Sequence, residues 1–506
     1  MSITGPGSIT AANLTAQNNM FTQLNTLSQE LGTGEAAQTY SGLNSQAGLA
    51  VELSAELSAI GGYSQTTTAV GTTLSIAQSA LGQLANVGSS VAQSITQQGS
   101  FTLNNNGQTT IQQSAAGYLD QIFSLLNTQV GGNYLFSGSA VNQPAVAPTN
   151  EILNGTGVQD GLTQIIQQRL QADQGSNGLG RLVIPAVASG SSTVSISQDG
   201  SSFGFQLSGV NSTLTGATVT GPTGSPPGIS IDLGSNPNAG DSISFGLTLP
   251  DGSSQSITLQ ATTASPPGTN EFTIGADADA TATNLQAALT TAVGNLAQTA
   301  LPAASAIAAS NNFFADPPQV VDATGSPPDY ATATSLTNGT PANTVFWYTG
   351  ENGATPALQT ATAQVGPSMT VSYGMRATEP AITSLVANVA ALAATTYSAS
   401  DPNAQASYQA LCQSVITNLG GQSGTQSIND IEADIANAQT QVQNATSLNT
   451  QTQNTLQDML QGFESVNQDQ IGEQILTLQN TLSASMSVTA RLAQLSLVNY
   501  LAASSG

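Results

Sequence analysis

The sequence predicts an α+β protein: a discontinuous α-helical coiled-coil rod built from the N- and C-terminal segments, with one or more β-rich domains inserted between them. Two periodicities predict this class. Apolar residues recur every three or four positions near both ends of the 506-residue chain, and every second position in the middle. Hydrophobic residues make up 39% of the chain, so it has enough apolar side chains to fold.

The first part of the chain, to about residue 175, predicts four helical segments. Apolar residues from Met20 to Leu31 form the first stripe, and Gly32-Thr33-Gly34 ends it. A second segment, 49–60, ends before Gly61-Gly62, and a third, 70–95, alternates spacings of four and three like a coiled-coil seam. The fourth helix begins near Ile111 and is expected to end at Gly131-Gly132.

The middle of the chain, roughly 180–350, predicts short strands. Alternating apolar residues such as Ile243, Phe245 and Leu247 are separated by Gly, Pro, Ser and Thr. Pro250-Asp251-Gly252 predicts the turn of a β-hairpin. A short helix is expected after Asp279, with apolar residues at Leu285, Leu289 and Val293.

The last part, from about residue 375, predicts helices again, with seams over 428–445, 471–482 and 488–495. We expect the terminal segments to pair, because amphipathic helices must bury their apolar stripes. The expected domains are an N-terminal axial helix (1–40) that pairs with a C-terminal one (470–506), two rod segments (41–178 and 356–469) and the β-rich insertion (179–355).

The two terminal helices have apolar stripes without an obvious third partner inside the chain. An apolar stripe of this kind predicts an external partner, and so self-assembly or docking. The expected interface residues are Met20, Phe21, Leu24, Leu27, Leu31, Leu482, Leu492, Leu495, Leu497, Tyr500 and Leu501.

The composition excludes most kinds of chemistry. The chain has four Arg, no Lys, no His and one Cys, and its net charge is −24. A catalytic triad needs His, a P-loop needs Lys, structural zinc needs several Cys or His, and nucleic-acid binding needs a basic surface. We therefore expect no enzymatic activity, no cofactor, no metal and no nucleic-acid partner. The start of the sequence lacks a Sec signal pattern and no stretch is long and apolar enough to span a membrane, so neither a cleaved signal nor membrane insertion is expected.

A few residues have a functional and a structural interpretation. Asp277 and Asp279 fit a calcium site, but they fit the first turn of a helix better, where carboxylates cap free N–H groups. Cys412 lies in an apolar helical context that favours a buried core residue. Arg376 lies beside Tyr373 and Glu379, and the sequence does not assign its ion-pair partner.

Several motifs resemble the bacterial flagellin family, and within it the hook–filament junction branch (hook-associated protein 3). LSQELGTGEAAQTYSGL (27–43) resembles the family's N-terminal box. GGNYLFSGS (131–139), VFWYTGENG (345–353), VSYGMRATEPAITSLVANVAALA (371–393) and ILTLQNTLSASMSVTARLAQLSLVNYL (475–501) resemble the junction branch. The family's Asn/Arg-Tyr-Leu-Phe hairpin corresponds to Gly131, Gly132, Asn133, Tyr134, Leu135, Phe136 and Gly138. The chain departs from the family in having no Lys, with Glu30 and Glu35 in the N-terminal box.

The resemblance implies a subunit that is exported through the flagellar type III apparatus without a cleaved signal peptide and located outside the cell, at the junction of hook and filament. It also implies the partners: copies of itself in a ring or tube, the hook-side junction protein (hook-associated protein 1), flagellin, and an export chaperone on the terminal helices.

Two alternatives stay open at this stage. The first is a flagellin, the bulk subunit of the filament. The second is a secreted adhesin whose β-rich insertion binds carbohydrate, with Trp347 and Tyr348 stacking on sugars. A glycosidase would need two carboxylates facing each other across a cleft, and Asp241 and Asp251 lie in or near predicted turns with nothing to mark them as a pair.

Overall fold

The computed structural model describes residues 6–37, 39–97, 99–421 and 424–503. Its helices are α1 Pro6–Thr33, α2 Ala47–Thr96, α3 Thr110–Leu126, α4 Thr149–Asn154, α5 Leu162–Gln174, α6 Ala278–Phe313, α7 Pro380–Ala394, α8 Ala404–Leu419, α9 Ile428–Glu464 and α10 Gln468–Ala503. Its strands are β1 Gln129–Val130, β2 Asn133–Tyr134, β3 Leu182–Val183, β4 Thr193–Gln198, β5 Gln206–Ser212, β6 Ala217–Thr223, β7 Gly228–Leu233, β8 Ser242–Thr248, β9 Ser254–Thr262, β10 Glu271–Thr273, β11 Gln319–Val321, β12 Leu336–Asn338, β13 Thr362–Gly366 and β14 Met369–Ser372. The predicted α+β class, with long terminal helices and a β-rich central region, is confirmed.

The chain forms two compact units. The first unit contains the described residues up to Gly71, the segment Ala363–Val371 and the described residues from Thr440 onwards. The second unit contains Thr72–Thr362 and Ser372–Gln439. Helices α2 and α9 therefore contribute residues to both units.

In the first unit, α1 and α10 form an antiparallel pair. The Gln17 Nε2 donates to Thr489 Oγ1 at 2.9 Å, and near the opposite end the Val466 N–H donates to the carbonyl of Gly34 at 3.1 Å. A second contact region of this unit is a small apolar cluster formed by Leu53, Ile60 and Leu456. The two regions belong to a unit built mainly from helices of the two chain ends.

Helix α2 is one continuous helix of 50 residues, so the prediction of two pieces separated at Gly61-Gly62 was wrong. Each glycine costs a helix about 1 kcal/mol relative to alanine. The stripe of buried side chains passes through the glycines without a break, from Leu53 and Ile60 to Val70 and Leu74. Burial of this stripe outweighs the local helix propensity.

In the second unit, two four-stranded sheets enclose one hydrophobic core. The strand orders are β3-β4-β7-β6 and β10-β9-β8-β5, and every pair is antiparallel except β10 with β9. The predicted hairpin at Pro250-Asp251-Gly252 is confirmed, since it joins β8 to β9 and Asp251 Oδ1 accepts the Ser253 N–H at 3.0 Å. The alternating residues Ile243, Phe245 and Leu247 all point into the core, where each is 0% exposed.

Helix α6 completes this core and is much longer than predicted. Its first half packs Leu285, Leu289 and Val293 against the sheets, as the spacing indicated. It then continues past Pro302 for a total of 36 residues. The second half is rich in alanine and buried on nearly all sides against α5, α7 and α8, so it has no amphipathic period for a sequence pattern to detect.

Helix α3 begins with a capping box, in which Thr109 and Gln112 satisfy each other's backbone N–H groups. It ends at Leu126, not at Gly131-Gly132 as predicted. The intervening residues form the β1–β2 hairpin, whose pairing brings Val130 opposite Asn133. Glycines that were predicted to end a helix therefore form the turn of the following hairpin.

Candidate assembly interface

The α1–α10 pair buries a narrow seam within the chain. Leu27 and Leu482 are 8% and 6% exposed, and Met20, Leu24 and Leu492 are half-buried. Polar residues continue the α10 side of the seam: Ser485 and Thr489 are half-buried, and their hydroxyl oxygens accept hydrogen bonds from the Gln17 amide. Five of the predicted interface residues thus lie on or beside the contact between the two helices.

Outside the seam, the pair leaves large apolar side chains in solvent. Phe21 and Leu31, both predicted as interface residues, are 44% and 37% exposed. Four further residues were missed by the sequence analysis: Leu14 (54% exposed), Leu476 (63%), Met486 (43%) and Val488 (52%). Six large apolar side chains of this helix pair are therefore exposed to solvent.

The sequence carries no clear signal for the missed residues. Val488, Leu492 and Leu495 have four-three spacing, which predicts a seam. The buried and half-buried stripe of α10 instead runs through Leu478, Leu482, Ser485, Thr489 and Leu492 and leaves Val488 exposed. The remaining predicted residues, Leu495, Leu497, Tyr500 and Leu501, are in α10, and their side chains lie outside the described residues.

The Asn-Tyr-Leu-Phe motif forms a tight hairpin in the second unit. Gly131 and Gly132 have φ of 61° and 88°, the left-handed region that glycine adopts without steric cost. The chain then turns inward, and Leu135 and Phe136 are 8% and 0% exposed. The backbone of Phe136 accepts the Ala377 N–H at 2.8 Å, which connects the hairpin to a segment more than 200 positions later.

Arg376 stabilises the contact between the hairpin and this later segment. Its Nη2 donates to Glu351 Oε2 at 2.6 Å, and its Nη1 donates to the carbonyls of Gly353 and Thr355 at 2.8 and 2.7 Å. The hydrogen bond from Arg376 keeps the pKa of the Glu351 carboxyl below its usual value. The sequence does not assign the ion-pair partner of Arg376, which is Glu351 and not the nearby Glu379.

Gly138 is required by close packing at this ion pair. Its φ is 64°, and a Cβ at this position would lie 2.7 Å from Glu351 Oε2 and 3.2 Å from Arg376 Nε. The backbone of Ser137 also pairs with Arg376. We call the three segments 131–139, 345–355 and 373–377 the Arg376 junction. They are the segments, or overlap the segments, in which the resemblance to the hook–filament branch was noted.

The aromatic residues considered for sugar stacking are buried in this region. Trp347 is 1% exposed and donates its Nε1–H to the carbonyl of Phe314 at 3.0 Å. Its ring packs edge-to-face on Phe314 at a centroid distance of 5.2 Å. Tyr348 is 5% exposed, and burial raises the pKa of its hydroxyl to about 12. Neither ring face is open to a carbohydrate, which removes the main support for the adhesin hypothesis.

Other candidate chemical residues have structural roles. Asp277 is the N-cap of α6, with its carboxylate accepting the Ala280 N–H at 2.9 Å, as the structural interpretation predicted. Cys412 is buried in α8, and burial raises the pKa of its thiol to about 11, so it is not activated as a nucleophile. Among the described residues, no group of three or more acidic or Cys side chains is arranged to hold a metal ion.

Two more of the four arginines form a buried cluster in the second unit. Arg169 pairs with Asp173 at 2.8 Å, Arg181 pairs with Asp199 at 3.1 Å, and the Phe203 ring lies within 6 Å of both guanidinium groups, at 4.9 and 5.9 Å. Arg181 also donates to the carbonyls of Ala172 and Ala333. This cluster connects α5 to the β-rich region, and its charged groups are engaged with each other.

Within the part of the chain that the structure describes, no helix combines the length and apolar character needed to cross a membrane.

Comparison with known proteins yields one finding. No curated protein sequence matches the chain. The family model of the bacterial flagellin N-terminal helical region matches residues 7–141, which include all of α1 but its first residue, α2, α3 and the β1–β2 hairpin. Over these residues the chain is similar to the N-terminal helical region of bacterial flagellins, which are structural proteins.

Proposed function

We propose that this chain is a structural subunit of the bacterial flagellum that joins the hook to the flagellin filament through self-assembling terminal helices. The observation that carries the proposal is the set of exposed apolar side chains on α1 and α10, among them Phe21, Leu476 and Val488. A monomer gains nothing from exposing these residues, whereas a head-to-tail assembly buries them. The segments 1–40 and 470–506 act as axial helices in this proposal.

The proposed partners follow from the same location. Copies of the chain contact each other in a ring or tube, with the hook-side junction protein (hook-associated protein 1) on one side and flagellin on the other. An export chaperone binds the terminal helices before assembly and covers their apolar surface. The location is extracellular, after export without a cleaved signal peptide.

The Arg376 junction supports the junction role over the filament role. Its three segments resemble the hook–filament branch separately in the sequence, and they form one hydrogen-bonded cluster. Three similar segments that also contact each other are stronger support for the branch than three similar segments at unrelated places in the fold. A filament flagellin is the second candidate, and the match over residues 7–141 favours it equally, because that region belongs to flagellins in general.

Electron microscopy of purified flagella, with gold-labelled antibody against residues 190–300, separates the candidates. We expect a single gold cluster where hook meets filament. Label along the whole filament would make the chain a flagellin, and absence of label from every flagellum would overturn both. Flagella from cells that lack the gene for this chain are the control for antibody specificity.

A further inference from the structure

Charges on and beside the α1–α10 pair are separated along its length, and the other carboxylates of the first unit are Glu52 and Glu56 on α2 and Asp458 on α9. Positions 6–29 of α1 have no charged residue, and positions 474–503 of α10 have only Arg491. The carboxylates are at the other end of the pair, where α1 ends and α10 begins: Glu30, Glu35, Glu464, Asp469 and Glu473. We call this group the acidic end. The Ala36 N–H donates to the Glu464 carbonyl at 2.6 Å, which keeps the two chain segments of this end together.

Arg491 differs from the other three arginines. Arg169, Arg181 and Arg376 are at most 7% exposed, and each pairs with a carboxylate. Arg491 is exposed on α10, and among the described residues no carboxylate pairs with it. In a chain with 28 acidic and four basic residues, this is an unusual position for a positive charge.

Arg491 does not reach the acidic end of its own chain. Glu473 lies 18 positions earlier in the same helix, which corresponds to about 27 Å at the helical rise of 1.5 Å per residue. Glu30 lies 13 positions beyond Gln17, whose amide contacts Thr489, so it is about 20 Å away along α1. Both distances exceed the Debye length of about 8 Å at physiological salt, so attraction within the chain is screened.

We propose that Arg491 of one copy forms an ion pair with the acidic end of the next copy, and that this pair sets the stagger between neighbouring α1–α10 pairs. The inference rests on the proposed self-assembly and adds its register. The remaining surface between the charges is apolar or uncharged and would permit many registers. One positive charge facing one group of negative charges selects an offset of about 27 to 33 Å, the span from Arg491 back to Glu473 and Asp469.

The absence of lysine provides a direct test. The variant Arg491→Lys keeps the positive charge and introduces the single lysine of the chain. A zero-length carbodiimide couples that amine only to a carboxylate in contact with it. We expect cross-linked dimers and higher oligomers from intact flagella carrying this variant, with mass spectrometry locating the bond between position 491 and a carboxylate of the acidic end.

Two controls define the result. The variant Gln113→Lys, an exposed change on α3, should give no bond to the acidic end. Combining Arg491→Lys with Glu473→Gln and Asp469→Asn should reduce the cross-linked fraction severalfold. Monomer alone, or a bond from position 491 to a different protein or to another part of the chain, would overturn the inference.

Reversing the charge at position 491 tests the same contact through its effect on assembly. Arg491→Glu should lower the number of copies recovered with purified flagella by about tenfold, because an attraction becomes a repulsion. Adding Glu473→Arg should restore the number, since the two new charges attract each other across neighbouring copies. Adding Asp120→Arg, an exposed reversal on α3, changes the net charge equally and should restore nothing; equal rescue by both would overturn the specific pairing.

The outcome for this inference is separate from that for the proposed function. Gold at the hook–filament junction with no cross-link from position 491 would leave the function intact and reject the register. If the antibody locates the chain away from the junction, the proposed function fails, and cross-linking of the concentrated full-length chain in solution still decides whether Arg491 contacts a second copy.

Discussion

The α1–α10 pair and the region around Trp347 and Arg376 differ in how much of their large side chains is exposed to solvent. Trp347 is 1% exposed, and its indole N–H has a backbone partner. Leu476 and Val488 on α10 are 63% and 52% exposed. Burial of apolar surface stabilises the folded state by about 25 cal/mol per Å². The second unit obtains this stabilisation from contacts within the chain, whereas the exposed side chains of the α1–α10 pair would obtain it only by binding a partner.

This contrast indicates that one region stabilises the subunit and the other binds partners. The second unit is expected to be stable in the free monomer, because its two sheets and α6 bury their large apolar side chains in a core of their own. The α1–α10 pair buries one seam only, and in the proposed assembly its exposed apolar side chains are covered by neighbouring subunits. Mutations should therefore affect stability in one region and assembly in the other.

The largest effect on stability is expected for Trp347→Ala. The substitution removes a buried ring, its edge-to-face contact with Phe314 and its hydrogen bond. We expect a loss of about 3–5 kcal/mol in the free energy of unfolding of the second unit. Urea denaturation followed by circular dichroism measures it. A loss below about 1 kcal/mol would show that this region is not a stabilising core.

The next largest effect is expected for Arg376→Met, which keeps most of the side-chain volume and removes the charge. The carbonyls of Gly353 and Thr355 and the carboxylate of Glu351 then lose their donor. Because these hydrogen bonds are partly buried, we expect removal of their shared donor to cost about 1–2 kcal/mol. The same denaturation experiment measures the loss, and Arg376→Lys should recover part of it because the ammonium group keeps the charge and can donate to some of the three acceptors.

The Arg376 junction also predicts a dependence of stability on pH. The hydrogen bond from Arg376 lowers the pKa of Glu351 in the folded state below its ordinary value of 4.5. The contribution of Glu351 is therefore complete above pH 4.5 and is lost as the pH falls through the lowered value. We expect the stability difference between the wild type and Glu351→Gln to be larger at pH 6 than at pH 3.

The Arg376→Met background provides the control for this pH effect. Without the guanidinium, Glu351→Gln should make a similar difference at both pH values. An effect of pH that persists in this background would assign the dependence to another group. Asp173 contributes with the opposite sign, because burial raises the pKa of its carboxyl.

The smallest effect on stability is expected for Phe21→Ala and Leu476→Ala. Both side chains are exposed, so each substitution should change the free energy of unfolding of the purified subunit by less than about 0.5 kcal/mol. Recovery of the chain with purified flagella should nevertheless fall, because the apolar surface offered to partners is smaller. Unchanged recovery for both variants would remove the distinction between the two regions.

The sequence by itself determined the features that depend on near neighbours. Helical spacing predicted the apolar stripes that contain Leu27 and Leu482, although it assigned both residues to an interface with an external partner. Period-two alternation predicted the strands with Ile243 and Phe245, because each repeat places a side chain on a fixed face of its own element. The absence of Lys and His was sufficient to exclude several kinds of catalytic site. Glycine signals were ambiguous: Gly131-Gly132 form a hairpin turn, whereas Gly61-Gly62 lie inside α2.

The tertiary structure alone decided what depends on distant neighbours. The Ala-rich half of α6 has no periodicity to predict it, because it is surrounded by other helices. Arg376 finds its partner in Glu351, 25 positions away, and not in the adjacent Glu379. The exposed side of the α1–α10 pair became visible only when the helices were packed, because which apolar residues stay in solvent depends on what the seam has already covered.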